Sequence, residues 1–380
     1  MTVLKITHVI GGLDVGGAEK MVLKLVREHE KTGMITQIIS LGSLGKIGTE
    51  LQAAGVVVHT LGAKGRKFPR PKEALNLLKI VRSFSPDIIQ GWMYHGNIAA
   101  IFAHYLVSTE SAIFWNIRQT LGTLADEQPL TRLLIRLGAR LSSATDGVIF
   151  NSIESQEQHI SIGYAKGKCK FIANGFDLSQ YYVDQEQRRI ERGKLKLGPN
   201  DVLIGHIGRY HPKKDHARFF QAIDQVLQEH RHVYVVTAGR DVSRENRELK
   251  AQLESMPHQD RILMLGEVDD LRPIYQALDF LVNSSGWGEG FSNVLGEGMA
   301  SECFCIATDV GEASQMIGVA GRVVVPRNSA ALAGAILEGL SMTVAERQQI
   351  GRQARERVER FYSIERISKE YREYYGMAKK

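Results

Sequence analysis

The chain of 380 residues has three cysteines, no signal-peptide pattern and no low-complexity segment or short-period repeat. Nor does it contain a run of about 18 apolar residues, so a membrane-spanning helix is not expected and the protein should stay cytoplasmic. Cys169 stands alone, while Cys303 and Cys305 lie two apart on an apparent strand and face the same side. Neither a zinc site nor a disulfide framework follows, and buried reduced thiols are the expectation. No Asp-x-Asp triplet is present to hold a divalent ion against a pyrophosphate, and no nucleic-acid recognition motif accompanies the modest net charge of +6. What is present is ordinary for a soluble protein, with 24% charged and 43% hydrophobic residues. The length suffices for two domains, each with its own core.

Charge is unevenly placed. Residues 1–175 carry a balance of +7 and the remainder −1. Much of the excess falls in Lys64, Arg66, Lys67, Arg70 and Lys72, a loop-like stretch interrupted by Pro69 and Pro71. More comes from Arg132, Arg136 and Arg140, opposite a face of Leu130, Leu133, Leu134, Leu137 and Leu141. Such a basic amphipathic helix can lie on an anionic membrane surface or pack on a core with a solvated arginine stripe. Nucleic acid is not an expected partner.

Strands and helices alternate through the chain twice, which predicts an α/β fold with parallel sheets. Apolar runs place strands near 3–10, 35–41, 56–61, 86–92, 112–117, 146–150 and 169–173 in the first half. The second half has them near 202–208, 233–239, 261–265, 279–283, 303–308 and 322–326. Helical patterns occupy 17–31, 72–84, 95–106, 129–143 and 152–161. The stretch from about 178 to 200 is polar and charged, and a long charged helix is expected from Val344 to Tyr374.

Two segments follow strands and open helices. Gly11-Gly12-Leu13-Asp14-Val15-Gly16-Gly17 occupies the place where open α/β sheets bind ligands. It lacks the strict Gly-x-Gly-x-x-Gly order, and the next strand ends Ile38-Ile39-Ser40-Leu41 without an acid for a nicotinamide ribose. A dehydrogenase is therefore disfavoured; a tight turn with no ligand remains an alternative. The second segment is Glu289-Gly290-Phe291-Ser292-Asn293-Val294-Leu295-Gly296-Glu297. Ser292 is a favoured helix cap, and Val294, Leu295 and Met299 form an apolar stripe. The two carboxylates should then lie roughly 10 Å apart, too far for a shared proton. They suit the two ends of one elongated ligand, with helix amides ready for a phosphate between them.

This segment resembles the Glu-x7-Glu motif of retaining nucleotide-sugar glycosyltransferases of the GT-B fold, family 4. Trp92-Met93-Tyr94-His95-Gly96-Asn97, Trp115-Asn116-Ile117-Arg118, Asn174-Gly175-Phe176-Asp177 and Gly208-Arg209-Tyr210-His211-Pro212-Lys213-Lys214 are similar to segments of its bacterial O-antigen and capsule subgroup. The resemblance covers nearly the whole chain. It implies two Rossmann-like domains with parallel sheets facing across a cleft: an acceptor and membrane-side domain at 1–175 and a nucleotide-sugar donor domain at 176–355. A helix at 356–380 would cross back to the first.

By resemblance, His95, Arg209, Lys214 and Glu289 are catalytic, with Lys213 the rival to Lys214. Arg209 ends a strand and Lys214 opens the next helix; their charges would stabilise the departing nucleotide diphosphate in place of a metal. Gly16, Gly17, Gly290, Phe291, Ser292, Asn293, Val294, Leu295 and Glu297 would bind the donor, Glu297 through the ribose hydroxyls. Lys64, Arg66, Lys67, Arg118, Arg132, Arg136 and Arg140 would face the acceptor or membrane. No cofactor or metal is expected. The implied partners are a nucleotide-sugar donor, a glycan or polyprenyl-diphosphate-linked glycan acceptor, and an anionic membrane surface. Two departures stand out. Gly296 and Gly298 replace larger residues and each weakens a helix by about 1 kcal/mol. Ser301-Glu302-Cys303-Phe304-Cys305 replaces a small-residue-then-proline run, on the sugar-side loop. They leave open a nucleotide-sugar-binding scaffold without turnover; an epimerase on the same architecture fits the Glu-x7-Glu pattern less well.

Overall fold

A computed structural model describes residues 3–62, 70–107 and 110–377. The chain divides into two compact units, Met1–Gly175 with Ile364–Lys380, and Phe176–Ser363.

The first unit is built on a parallel sheet of seven strands among the described residues: β1 (Lys5–Ile10), β2 (Ile35–Ser40), β3 (Val57–Thr60), β4 (Ile88–Trp92), β5 (Ala112–Ile117), β6 (Gly147–Phe150) and β7 (Cys169–Phe171). Their order is β3-β2-β1-β4-β5-β6-β7. The central strands are buried along nearly their whole length, as continuous apolar runs dictate when helices cover both faces. In the second unit, β8 (Val202–Ile207), β9 (Val233–Ala238), β10 (Ile262–Met264), β11 (Phe280–Asn283), β12 (Phe304–Thr308) and β13 (Arg322–Val324) pair in the order β10-β9-β8-β11-β12-β13. Every pairing is parallel. Phe219, Ile223, Val235, Phe280, Phe304 and Ile336 belong to its core. Both sheets reverse their winding between neighbouring strands: β1 and β4 in the first unit, β8 and β11 in the second.

Three segments differ from expectation. The polar stretch before β8 contains a helix, Gln185–Lys194, capped by Asp184. Its arginines explain why so polar a segment folds. Arg188 and Arg192 both bond Asp279, at 2.6 and 3.1 Å, and add carbonyls of residues 276–278. A further helix, Gly45–Ala53, has no counterpart in the sequence pattern. The long terminal helix is two helices, Val344–Tyr362 and Ile364–Met377, divided at an extended Ser363 that bridges Phe176. The chain thus returns to the first unit at residue 364, rather than 356.

Each unit buries a histidine pair. His8 on β1 stacks on His29 with ring centroids 6.1 Å apart, and its Nδ1 accepts the Trp92 indole N–H at 3.1 Å. His206 meets His216 edge-on at 4.7 Å. Burial lowers His8 to about 3 and, with the Lys214 charge adding, His216 to about 4. Burial first, and neighbouring cations and histidines second, hold His29 and His206 well below the usual 6.5. These rings are neutral when folded, whereas the unfolded chain protonates them below about pH 6.5. The unfolded state therefore binds more protons as the pH falls, and stability drops across the window from 6.5 toward the lowered values. Thermal melts at about pH 7 and about pH 5 should show a clear loss of Tm, and equal midpoints would contradict this account.

Candidate functional site

In an open parallel sheet, ligands bind beyond the carboxyl ends of the strands where the winding reverses. In the second unit that place lies beyond β8 and β11. Residues 208–214 follow β8 and residues 284–292 follow β11. The two motifs of the second half therefore converge on one switch point.

Lys214 lies in a 3-10 turn, Pro212–Lys214, and the helix His216–Glu229 starts after Asp215 in the left-handed region. It therefore precedes that helix rather than opening it. Side chains hold the turn directly and through Ser284. His211 Nδ1 accepts the Lys213 N–H at 3.1 Å, the Lys214 carbonyl accepts the Ser284 hydroxyl at 2.8 Å, and Ser284 also bonds His206 Nε2 at 2.9 Å. The Lys214 ammonium then donates to Glu289 Oε1 at 2.6 Å, with side chains only 20% and 15% exposed. Ser285 bonds the other Glu289 oxygen. Burial works to raise the Glu289 carboxyl, but Lys214 and the hydroxyls of Ser285 and Ser292 outweigh it and hold it below the usual range. Arg209, two residues past β8, is exposed and makes no ion pair among the described residues. Lys213 lies beside Gly288 rather than against Glu289.

The expected helix runs Asn293–Ala300, and the Ser292 hydroxyl accepts the Leu295 N–H at 3.4 Å while receiving Asn283 Nδ2 at 3.1 Å. Ser292→Ala removes this cap and leaves the buried Asn283 amide short of an acceptor. About 1 kcal/mol of stability should be lost, read as a Tm roughly 2–4 °C lower; an unchanged melt would contradict the capping role. Glu297, only 5% exposed, receives the Tyr275 hydroxyl on Oε2 at 2.9 Å. Glu289 and Glu297 have separate partners, so they do not form a dyad.

The two helix glycines have a packing reason. A Cβ at Gly296 would lie 2.0 Å from the Phe176 ring, and one at Gly298 would lie 2.2 Å from Leu281. The helix sits directly on these side chains. Residues 301–305, expected on the sugar side, lead into the amino end of β12, because β12 runs from Phe304 to Thr308. They lie at the amino end of the strands, whereas Glu289 follows the carboxyl end of β11. The carboxyl end of β12 supplies what the sequence pattern did not reveal. Thr308 Oγ1 donates to the Ser285 carbonyl at 2.6 Å, and the Glu312 N–H to the Gly290 carbonyl at 3.0 Å. Gly311, at φ 58°, lies against the Glu289 backbone.

In the first unit the switch point lies between β1 and β4. Gly16 caps the helix Gly17–Lys31 in extended conformation, and Gly11, Asp14, Val15 and Gly17 are exposed. His95 is the third residue of the helix Met93–Val107, which follows β4 without a linker. That abrupt turn puts Met93 at φ 57°, a left-handed conformation that a non-glycine residue holds only under constraint. Gly96 permits the contact, since a Cβ there would lie 2.4 Å from the Val9 carbonyl oxygen.

The expected basic surface divides. Arg118 is tied inward: it bonds Asn174 and the Tyr371 hydroxyl, the latter at 2.7 Å, and covers the Trp92 ring. Arg136 and Arg140 are exposed, and Arg132 half-buried, on the helix Pro129–Leu141. Its core stripe is Leu134, Ile135 and Gly138, with Leu130, Leu137 and Leu141 at the margin. Leu133 is 59% exposed because spacings of three and seven place it beside Arg136 and Arg140. Lys64, Arg66 and Lys67 lie outside the described residues.

Residues 15–180 match the family model Glycosyltransferase Family 4, and residues 201–342 match Glycosyl transferases group 1. The chain belongs to the family 4 type of glycosyltransferases. Its two parallel sheets match GT-B structures. The crystal structure of Anabaena Alr3699/HepE in complex with UDP superposes with a TM-score of 0.84 at 19% identity, covering 97% of this chain and 99% of that one. The lipopolysaccharide core biosynthesis mannosyltransferase LpcC of Rhizobium leguminosarum bv. viciae is 33% identical over 172 residues, 43% of this chain and 47% of the relative. The match thus spans about half the length of that relative. The GDP-mannose:cellobiosyl-diphosphopolyprenol alpha-mannosyltransferase of Xanthomonas oryzae pv. oryzae is 21% identical over 89% of this chain and 88% of its own. Among its described residues the chain has no helix long and apolar enough to cross a membrane. No group of three or more His, Cys, Asp or Glu suited to a metal occurs among those residues.

Proposed function

We propose that this glycosyltransferase moves a sugar, with retention of its anomeric configuration, from a nucleoside-diphosphate sugar to a hydroxyl of a polyprenyl-diphosphate-linked glycan. The product would be a surface polysaccharide such as lipopolysaccharide, O-antigen or capsule. The observation that carries this reading is the Lys214–Glu289 pair beside a Ser292-capped helix at the β8/β11 switch point. A cation, a carboxylate and the amino end of a helix there match the leaving diphosphate and the sugar it departs from. In this reading the second unit takes the donor and the first the acceptor.

Arg209 and Lys214 stabilise the charge developing on the diphosphate, with no metal required. Glu297 accepts bonds from the ribose hydroxyls; Glu289 and the amides after Gly290 and Phe291 hold the sugar, and the family resemblance assigns His95 to the transferred sugar as well. Two relatives named for lipopolysaccharide core and diphosphopolyprenol mannosyl transfer support the acceptor class. The test is release of nucleoside diphosphate, insensitive to EDTA, when the protein meets a nucleotide sugar and polyprenyl-diphosphate glycans. Product anomers read by NMR should keep the donor's configuration. Tight binding without release would instead indicate a scaffold.

Peripheral attachment to the inner membrane face is part of the proposal. Phe102, Tyr105 and Leu106 are exposed on the helix Met93–Val107, which packs against the helix carrying Leu133, Arg136 and Arg140. Exposed apolar side chains on one helix and exposed arginines on its neighbour suit an anionic bilayer. Sedimentation with anionic but not neutral vesicles is expected; equal binding to both would remove the electrostatic component.

A further inference from the structure

Glu297 is a nearly buried carboxylate, and such a group needs donors wherever it faces protein. Two phenols supply them. Tyr275, 1% exposed on the short helix Arg272–Ala277, donates to Oε2 at 2.9 Å, and the Tyr181 hydroxyl also reaches the carboxylate. The two rings meet edge-on with centroids 6.1 Å apart. Tyr275 is itself fixed, because its carbonyl receives the Cys303 thiol at 3.5 Å.

We propose that Tyr275 and Tyr181 are positioning residues that lock the Glu297 carboxylate in the orientation that reads a ribose diol. The inference rests on the assignment of Glu297 to the donor ribose. An ionised carboxylate has about four acceptor positions, so two phenol bonds leave the others for a pair of vicinal hydroxyls. Held by two phenols, the carboxylate does not have to be ordered when ligand arrives, which favours affinity. Burial, reinforced by the Glu297 charge, pushes both phenols above their ordinary range. They therefore remain donors wherever the protein is folded and active.

Titration with UDP and GDP and with their 2′-deoxy counterparts, on wild type, Tyr275→Phe, Tyr181→Phe and Glu297→Gln, tests this. Wild type should prefer the ribonucleotide that it binds. Tyr275→Phe should reduce that preference about tenfold, Tyr181→Phe should reduce it less, and Glu297→Gln should abolish it. In turnover, Tyr275→Phe should raise the donor KM more than it lowers kcat. A tyrosine that only supports packing would lower Tm and leave the ribose preference intact. Full preference in Tyr275→Phe and Tyr181→Phe, with loss in Glu297→Gln, overturns the positioning role and leaves the ribose assignment standing. Should Tyr275→Phe fail to fold, the half-buried Tyr181 decides through the same ratio. A wild type indifferent to the 2′-hydroxyl, or binding none of the four nucleotides, would overturn the ribose assignment and the inference with it.

Discussion

Lys214→Met is expected to lower kcat/KM for sugar transfer by about 10²–10³-fold, the usual effect of removing one preorganised group that meets transition-state charge. The same change should also destabilise the protein. Lys214 and Glu289 form a 2.6 Å pair with little solvent access, and removal of one partner leaves the other charge buried and unmatched. Breaking a buried pair from one side costs about 3–5 kcal/mol, whereas replacing both partners is often nearly neutral. Glu289→Gln should therefore destabilise as well, and the double variant Lys214→Met/Glu289→Gln should recover much of the lost Tm. Activity should not recover with it. A double variant that regains both stability and turnover would reduce Lys214 to a structural ion pair. The separation of the two readouts makes the pair informative.

Gly311→Ala should damage the same site without touching a charged group. Gly311 has φ 58°, and an added Cβ would lie 1.9 Å from the Glu289 carbonyl oxygen and 2.3 Å from that of Gly290. Both contacts are with backbone, so no flexible side chain can yield. Overpacking of this kind costs about 1–3 kcal/mol, and the left-handed conformation adds strain of order 1 kcal/mol. The expected result is a Tm lower by roughly 5–10 °C. The loop 284–292 must move to relieve the overlap, so nucleotide-diphosphate affinity should fall too. Gly334 offers a control, since a Cβ there meets nothing within 4 Å in a helix interior. Equal melts and equal affinities for Gly311→Ala and Gly334→Ala would show that the β12 loop does not support Glu289.

The sheets were readable because their signal is local. Runs such as Val202-Leu203-Ile204 and Phe280-Leu281-Val282 are buried on both faces, and turn residues bound them. The cap at Ser292 was readable for a similar reason, since capping is a short-range interaction. The helix Gln185–Lys194 was not, because its apolar content is slight and its fold depends on two arginines reaching Asp279, some 90 residues away. Ser363 divides two charged helices with no glycine or proline to signal the break. It is held open by pairing with Phe176.

The candidate site divides along the same line. Glu289, Lys214, Glu297 and the helix between them could be named from spacing and resemblance. The groups that fix their orientation could not. Ser285 and Thr308 carry ordinary hydroxyls, Tyr275 resembles any core aromatic, and Gly311 acquires its role only through a backbone contact made by folding. The glycines at 296 and 298 looked like helix weaknesses. Phe176 and Leu281 show that they are what lets the helix approach its neighbours.

The most direct test of the account is a thermal-shift titration with UDP, GDP, ADP and NAD, on wild type and on Glu297→Ala. A ligand at 100 times its dissociation constant adds about 2.7 kcal/mol of apparent stability, well within reach of a melt. The account predicts that one nucleoside diphosphate stabilises the wild type and fails to stabilise the variant. Stabilisation by NAD alone, or equal stabilisation of both proteins by the diphosphate, would contradict it.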